Sequence, residues 1–196
     1  DPASDIQAMS KGQDPAVVMQ DIDVPVVFVQ PGSTVAGGIV ARGVLNEVEA
    51  HLSPLDATAA GKARWKPLCG FDDAVTGLAL RGDDIYFLTH KDAPRFRILK
   101  STVANPGVAA AREVVPQGQV VLKAMTTAKD GLYIQALDAG LGKVMRLDGE
   151  GRLTTLKLPY AGTVNGLGAD PLRDGCWFFL DSWVKPPVLC FGAPDG

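Results

Sequence analysis

His51 and His90 are the only two histidines in the 196 residues, and this limits the acid–base and metal chemistry open to the chain. A serine nucleophile of the α/β-hydrolase type needs a G-x-S-x-G frame, whose glycines let a strained turn expose the hydroxyl at a helix start. None of Ser4, Ser10, Ser33, Ser53, Ser101 and Ser182 has that frame, and the chain order Ser…Asp…His would require a histidine later than His90. No complete catalytic triad is expected, and no residue is assigned a catalytic role. A metal site is not expected either: the histidines are far apart, no Cys/His pair has ligand spacing, and the acidic runs Asp21–Asp23 and Asp72-Asp73 lack the calcium-loop pattern with its glycine. Gly140-Leu-Gly142-Lys143 looks superficially like a phosphate loop. Val144 stands where Ser or Thr is needed and Leu137 where the first glycine belongs, so the segment reads as a Gly-rich hairpin turn. No cofactor is expected.

The densest polar stretch is His90-Lys-Asp-Ala-Pro-Arg-Phe-Arg97. Its functional reading is an anion-binding or domain-docking loop in which His90, Lys91 and Arg95 meet the partner. Its plainer reading is a solvated loop between two strands, with Pro94 setting the turn. Cys69, Cys176 and Cys190 make an odd count without C-x-x-C, which reads as three partly buried thiols rather than a disulfide framework. The one alternative pairs Cys176 with Cys190 across a hairpin centred near Trp183. A net charge of −3 gives no general electrostatic case for nucleic acid or an anionic membrane. The longest apolar runs, Val24–Val29 and Cys176–Leu180, fall far short of the ~20 residues of a membrane helix.

The elements that position these residues are strands. Helical periodicity is almost absent; Asn46–His51 is the best helical candidate and a weak one. Short β-rich runs are broken by Gly, Asp and Pro, and they recur in a fixed order. Val75-Thr-Gly-Leu-Ala-Leu80, Val120-Val-Leu-Lys-Ala-Met125 and Val164-Asn-Gly-Leu-Gly-Ala169 start 45 and 44 residues apart. Each is followed by an acidic or Gly turn and an aromatic strand: Asp84-Ile-Tyr-Phe87, Asp130-Gly-Leu-Tyr-Ile134, Asp174-Gly-Cys-Trp-Phe178. A third strand follows at Phe96–Leu99, Val144–Leu147 and Val188–Phe191, and a fourth closes the unit at Trp65–Leu68, Glu113–Val115 and Thr155–Leu158. A looser copy runs from Val26 to Trp65. Four strands in roughly 45 residues is the pattern of β-propeller blades. Both faces of a blade pack on neighbours, so its strands read as nearly continuous apolar runs, as in Trp177-Phe-Phe-Leu180. A β-sandwich also has short strands and frequent turns, but it would not repeat one four-strand order three times.

The expected fold is all-β: a partial β-propeller of about four four-stranded blades, incomplete at both ends. Residues 1–23 read as the tail of an earlier blade, 24–70, 71–116 and 117–159 as blades, and 160–196 as an incomplete last blade. Open blade edges carry a risk of self-association. The chain begins without Met, which reads as a processed protein or a piece of a longer one.

The stretches Asp72-Asp-Ala-Val-Thr76 and Gly82-Asp-Asp-Ile-Tyr-Phe-Leu-Thr-His-Lys-Asp-Ala-Pro-Arg-Phe-Arg-Ile98 resemble the propeller domain of prolyl oligopeptidases. Its pattern has a Leu-Thr-His/Asn strand end followed by Ala-Pro-Arg/Lys and an aromatic. Asp1-Pro-Ala-Ser-Asp5, Gly43-Val-Leu-Asn-Glu47, Asp130–Asp138, and Pro159–Val164 ahead of Ala169-Asp-Pro171 match bacterial members as well. The resemblance implies a seven-bladed propeller coupled to an α/β-hydrolase domain that carries a Ser-Asp-His triad and cleaves short peptides after proline without a cofactor. The propeller would cap the active site and exclude folded proteins by size. At about 45 residues per blade a seven-bladed ring needs about 315 residues; the chain is then a fragment, inactive by itself, whose partners are the hydrolase domain of the parent chain and short peptides. Members occur in cytoplasm and periplasm, so the resemblance fits either compartment. In the family a loop after the second strand of a middle blade reaches towards the active-site cavity. The matching segment is Arg42–Glu47, with Arg42, Asn46 and Glu47 as cavity-facing candidates; an ordinary hairpin loop is the alternative. The competing functional reading is a free-standing propeller scaffold that binds a protein partner. A downstream G-x-S-x-G with late Asp and His would support the peptidase, and a stop codon after Gly196 the scaffold.

Overall fold

The computed structural model describes residues 5–194. Most of the Asp1–Asp5 match, together with Asp195 and Gly196 of the last blade, lies outside the described residues. The chain forms four antiparallel sheets in sequence order. Strands β1 (Asp23–Val29), β2 (Val35–Arg42), β3 (Val48–Pro54) and β4 (Lys66–Cys69) make the first. Strands β5 (Val75–Arg81), β6 (Asp84–Thr89), β7 (Arg97–Thr102) and β8 (Arg112–Val115) make the second. Strands β9 (Val121–Ala128), β10 (Gly131–Asp138), β11 (Leu141–Leu147) and β12 (Leu153–Thr155) make the third. The fourth has three strands, β13 (Thr163–Gly168), β14 (Cys176–Ser182) and β15 (Lys185–Gly192). In every sheet each strand pairs with the next in sequence, the meander of a propeller blade. The sheets do not close a ring, and the molecule is the partial β-propeller that the repeat predicts.

The apolar runs divide by parity. In β6, Ile85 and Phe87 pack into a cluster with Ala50, Leu52 and Leu68 of the first sheet. Tyr86 and Leu88 face the other way, onto Leu132, Ile134 and Ala136 of β10. On β10 itself Tyr133 points back towards Val164, Cys176, Phe178 and Leu180 of the fourth sheet. A strand alternates its side chains between faces, so a sheet covered on both faces must be apolar at nearly every position. The fourth sheet shows the converse: Cys176, Phe178 and Leu180 are buried against the third sheet, while Trp177, Phe179, Leu189 and Phe191 on its outer face are exposed. The outer face of the first sheet is covered instead by residues 8–19, which contain no strand and bury Met9, Val17 and Met19 on Ala36, Val40 and Trp65. Gly38 of β2 makes room for this packing, since a β-carbon there would strike Trp65 and Met9, while one on Gly37 would strike the Phe28 ring on the opposite face.

Two expectations need correction, and the alternative Cys176–Cys190 pairing falls. Asn46–His51 is not helical: from Val48 it is β3, because Ala50 and Leu52 alternate into the cluster shared with the second sheet while His51 and Ser53 face the opposite way. The α-helix found among the described residues is instead the single turn α1 (Leu55–Ala59) between β3 and β4. The fourth strand of the third sheet runs Leu153–Thr155, not Thr155–Leu158; the N–H of Leu156 still donates to the Val144 carbonyl at 2.9 Å while its side chain fills the seam with the fourth sheet, and Lys157 and Leu158 lie beyond the strand. Cys176 and Cys190 are free thiols, because the register sets Cys176 opposite Gly192 and Cys190 opposite Phe178, two residues out of step. Burial pushes the Cys69 and Cys176 thiols up to about 12, so both remain protonated and inert.

Candidate functional site

A meander sheet sends its second-to-third-strand turns, and the connection to the next sheet, to one face of the propeller; the other turns emerge on the opposite face. The β2–β3 turn, the β6–β7 loop and the β14–β15 turn therefore share a face. Both candidate loops lie on it. Gly43–Glu47 follow β2, and His90–Phe96 join β6 to β7.

The structure brings these loops together. His90 Nε2 lies 2.8 Å from Glu47 Oε1, so adjacent sheets are bridged at their rims. The hydrogen bond from the imidazole, with backbone N–H groups adding to it, holds the Glu47 carboxyl below its ordinary range. Behind the pair, Phe96 tilts its ring against His90, with centroids 5.3 Å apart. Phe96 and Asp92 both have positive φ, which turns the loop tightly enough for this stacking. Lys91 Nζ reaches Asp73 Oδ1 at 3.3 Å, and Asp73 in turn accepts the Gly70 N–H in the connection between the first two sheets. Arg95 leans away, donating to Gln119 Oε1 at 3.1 Å while its backbone N–H donates to Gln117. Arg42 ends β2 and is held there: Nε and Nη2 each donate to the Asp23 carboxylate at 2.9 Å, and the guanidinium lies 4.2 Å over the Phe71 ring. Asn46 is exposed at the turn. Of the six candidates, His90 and Glu47 are direct partners, Lys91 and Arg95 are tied to neighbouring connections, Arg42 is locked into sheet one, and Asn46 is free at the surface.

The same face carries residues that motif reading missed. Val44 is 99% exposed and Leu45 50% in the β2–β3 turn, and Trp183 is 105% and Val184 88% exposed in the β14–β15 turn. A free-standing surface spends little of its area on fully exposed large apolar tips unless something covers them. The signal was in the sequence: Trp183-Val184 sits between two strands at a turn where Asn, Asp or Gly is usual. Among the described residues no nucleophile lies within hydrogen-bond reach of the His90–Glu47 pair, and no group of three or more His, Cys, Asp or Glu can hold a metal ion.

A half-exposed ion pair contributes little stability. A double-mutant cycle of Glu47→Ala and His90→Ala is expected to give a coupling below about 1 kcal/mol in urea unfolding. A larger coupling would make the pair a structural strut and remove it from the candidate site.

The family model that matches is the prolyl oligopeptidase N-terminal beta-propeller domain, over residues 12–191. A prolyl endopeptidase of Elizabethkingia meningoseptica is 26% identical over 123 residues, which is 62% of this chain and 17% of that protein. Among solved structures, one from a study of two prolyl endopeptidases and the role of inter-domain dynamics in their catalysis and specificity superposes with a TM-score of 0.77 at 20% identity, covering 98% of this chain and 27% of the other. Prolyl oligopeptidase B of Galerina marginata, bound to a 35mer hydrolysis and macrocyclization substrate, superposes with a TM-score of 0.77 at 12% identity, covering 99% and 26%. The chain thus spans about a sixth of the curated relative and about a quarter of the solved structures. With a match running from residue 12 to residue 191, on a fold shared with those enzymes, the chain belongs to the N-terminal β-propeller domain family of the prolyl oligopeptidases.

Proposed function

We propose that the chain is part of the substrate-filtering lid of a serine peptidase that cleaves short peptides after proline, and that the face bearing Val44, Trp183, Glu47 and His90 docks on the hydrolase domain. The observation that carries this reading is their placement on one face. Two apolar tips, Val44-Leu45 and Trp183-Val184, share that face with the polar Glu47, His90 and Lys91, the apolar-anchor and polar-rim composition of a protein interface. Filtering by size is steric and needs few specific side chains, in keeping with the scarcity of binding motifs.

Two measurements test it. The chain alone is expected to give no hydrolysis of a proline-containing chromogenic peptide; turnover sensitive to a serine-reactive inhibitor would overturn the reading. Binding to a prolyl oligopeptidase hydrolase domain, followed by surface plasmon resonance, is expected to weaken about tenfold or more in Trp183→Asp, the effect of losing an aromatic anchor. Unchanged affinity would move the docking surface elsewhere.

A further inference from the structure

Residues 8–19 form a strap across the outer face of the first sheet, and its polar fastenings converge on two points. Asp14 accepts the N–H of Ala16 at 2.9 Å and, across the seam, the buried N–H of Trp65 at 3.0 Å. Trp65 Nε1 donates to the carbonyl of Ala8 at 3.3 Å. The second point is His51, 1% exposed on β3. Its Nε2 lies 3.3 Å from the carbonyl of Ala16 on the strap and 3.3 Å from Glu49 Oε1 on its own strand. Both neighbours are acceptors, so Nε2 carries the proton and donates. Nδ1 is buried and has no hydrogen-bond partner. Nothing in the docking face or in the packing of the sheets makes use of this imidazole.

We propose that His51 is the proton-sensitive latch of the strap: a second proton, arriving at Nδ1, releases residues 8–19 from the first sheet. The geometry sets the direction. A proton on Nδ1 creates an N–H donor in a buried position without an acceptor, and an unsatisfied buried donor is costly. The cost falls away if the strap lifts and water reaches the ring. The charged and titratable groups around the ring are Glu49 on β3, Asp14 on the strap with Arg64 beside it, and Cys69 and Asp73 along the adjoining cavity. Glu49 and Asp14 favour the charged imidazole, but burial outweighs them and holds His51 below its ordinary value. The released state therefore takes up a proton more readily than the latched one. Latching is fully present above the ordinary histidine range and weakens as pH falls through it. Asp14 titrates below the usual carboxylate range, because the N–H groups of Trp65 and Ala16 hold its charged form, so it remains fastened throughout this window.

Hydrogen exchange of the full chain at pH 7.5 and pH 5.5, corrected for intrinsic rates, tests the latch. Amides in residues 8–19 and in β4 are expected to lose protection severalfold at the lower pH, while amides of β9 to β11 do not. In His51→Gln the side-chain amide still donates to Ala16 but does not titrate, so protection becomes independent of pH. A pH step of equal size in His51→Gln, or no step in the native chain, would overturn the proposal. Should the variant fail to fold, NMR titration of the native imidazoles decides. The backbone amide of Trp65 is expected to shift with the titration of His51 and not with that of His90, and a Trp65 amide that ignores His51 would refute the latch.

Discussion

Asp130→Ala is expected to lower the unfolding free energy by about 3 kcal/mol, among the largest losses from any single polar side chain of the molecule. Asp130 occupies the β9–β10 turn, its side chain 10% exposed. One carboxylate oxygen, Oδ2, accepts from Tyr133 Oη at 2.8 Å and lies 2.9 Å from Arg146 Nε. The other, Oδ1, accepts the N–H of Gly175 at 2.9 Å, in the turn of the following sheet. One side chain thus fastens three strands of the third sheet and ties that sheet to the fourth. Removing it leaves the largely buried Arg146 charge with only the carbonyls of residues 130 and 194, and the Tyr133 hydroxyl without its acceptor; a buried charge that loses its counter-ion costs more than the intact pair contributes. Burial, followed by the neighbouring carboxylate, raises the Tyr133 phenol, so it remains a donor at every working pH. Tyr133→Phe deletes one hydrogen bond and should cost only about 1 kcal/mol. Asp84→Ala is the internal control. Asp84 meets Lys100 at 2.6 Å and Tyr86 at 3.4 Å, but its side chain is 25% exposed and it reaches no other sheet, so it should cost less than half as much. Urea denaturation followed by circular dichroism measures all three; a loss below about 1 kcal/mol in Asp130→Ala would sink the argument.

The comparison between Asp84 and Asp130 shows how much was legible beforehand. Both aspartates recur at the same place in the repeat, each has a tyrosine two or three residues on, and each has a cation sixteen residues on, Lys100 and Arg146. That spacing is the length of one β-hairpin, so the clusters were readable as soon as the strand order was. The third copy breaks the pattern: sixteen residues after Asp174 stands Cys190, which cannot form such an ion pair. The apolar parity of the strands was likewise readable, because burial on both faces leaves a continuous run. The contacts between sheets were not. Glu47 and His90 stand 43 residues apart, and only the angle between adjacent sheets puts their side chains in contact. The strap was illegible for another reason. It is held by Asp14, by backbone carbonyls and by two methionines, none of which imposes a period. Arg42 reads in the sequence as a cavity-facing candidate because nothing there shows that Asp23 pairs with it across β1 and β2.

Gly142→Val is expected to detach the fourth sheet, at a cost of about 3 kcal/mol or more. Gly142 lies in β11, where its N–H donates to the carbonyl of Gly162 at 2.8 Å, so the backbones of the third and fourth sheets nearly touch. A β-carbon on residue 142 would stand 2.5 Å from the backbone nitrogen of Val164 and 2.8 Å from its Cγ2. Valine adds two methyl groups to that collision, and the neighbour that must give way is backbone, which has no rotamer to spare. The seam beyond it holds Tyr133, Val144, Phe178 and Leu180, all buried, and forcing it open exposes them. Gly140→Ala is the control two residues away. Gly140 sits at positive φ with nothing within 4 Å of a β-carbon, so it should lose only about 1 kcal/mol of backbone strain. Hydrogen exchange would show the loss confined to β13, β14 and β15, with the first and second sheets as protected as in the native chain. The consequence reaches the proposed docking face, because the fourth sheet carries the Trp183-Val184 tip. Gly142→Val should therefore weaken binding to the hydrolase domain about as much as Trp183→Asp does, although it touches no residue of that face. A Gly142→Val chain that unfolds at the native urea midpoint would show that the two sheets do not rest on this contact.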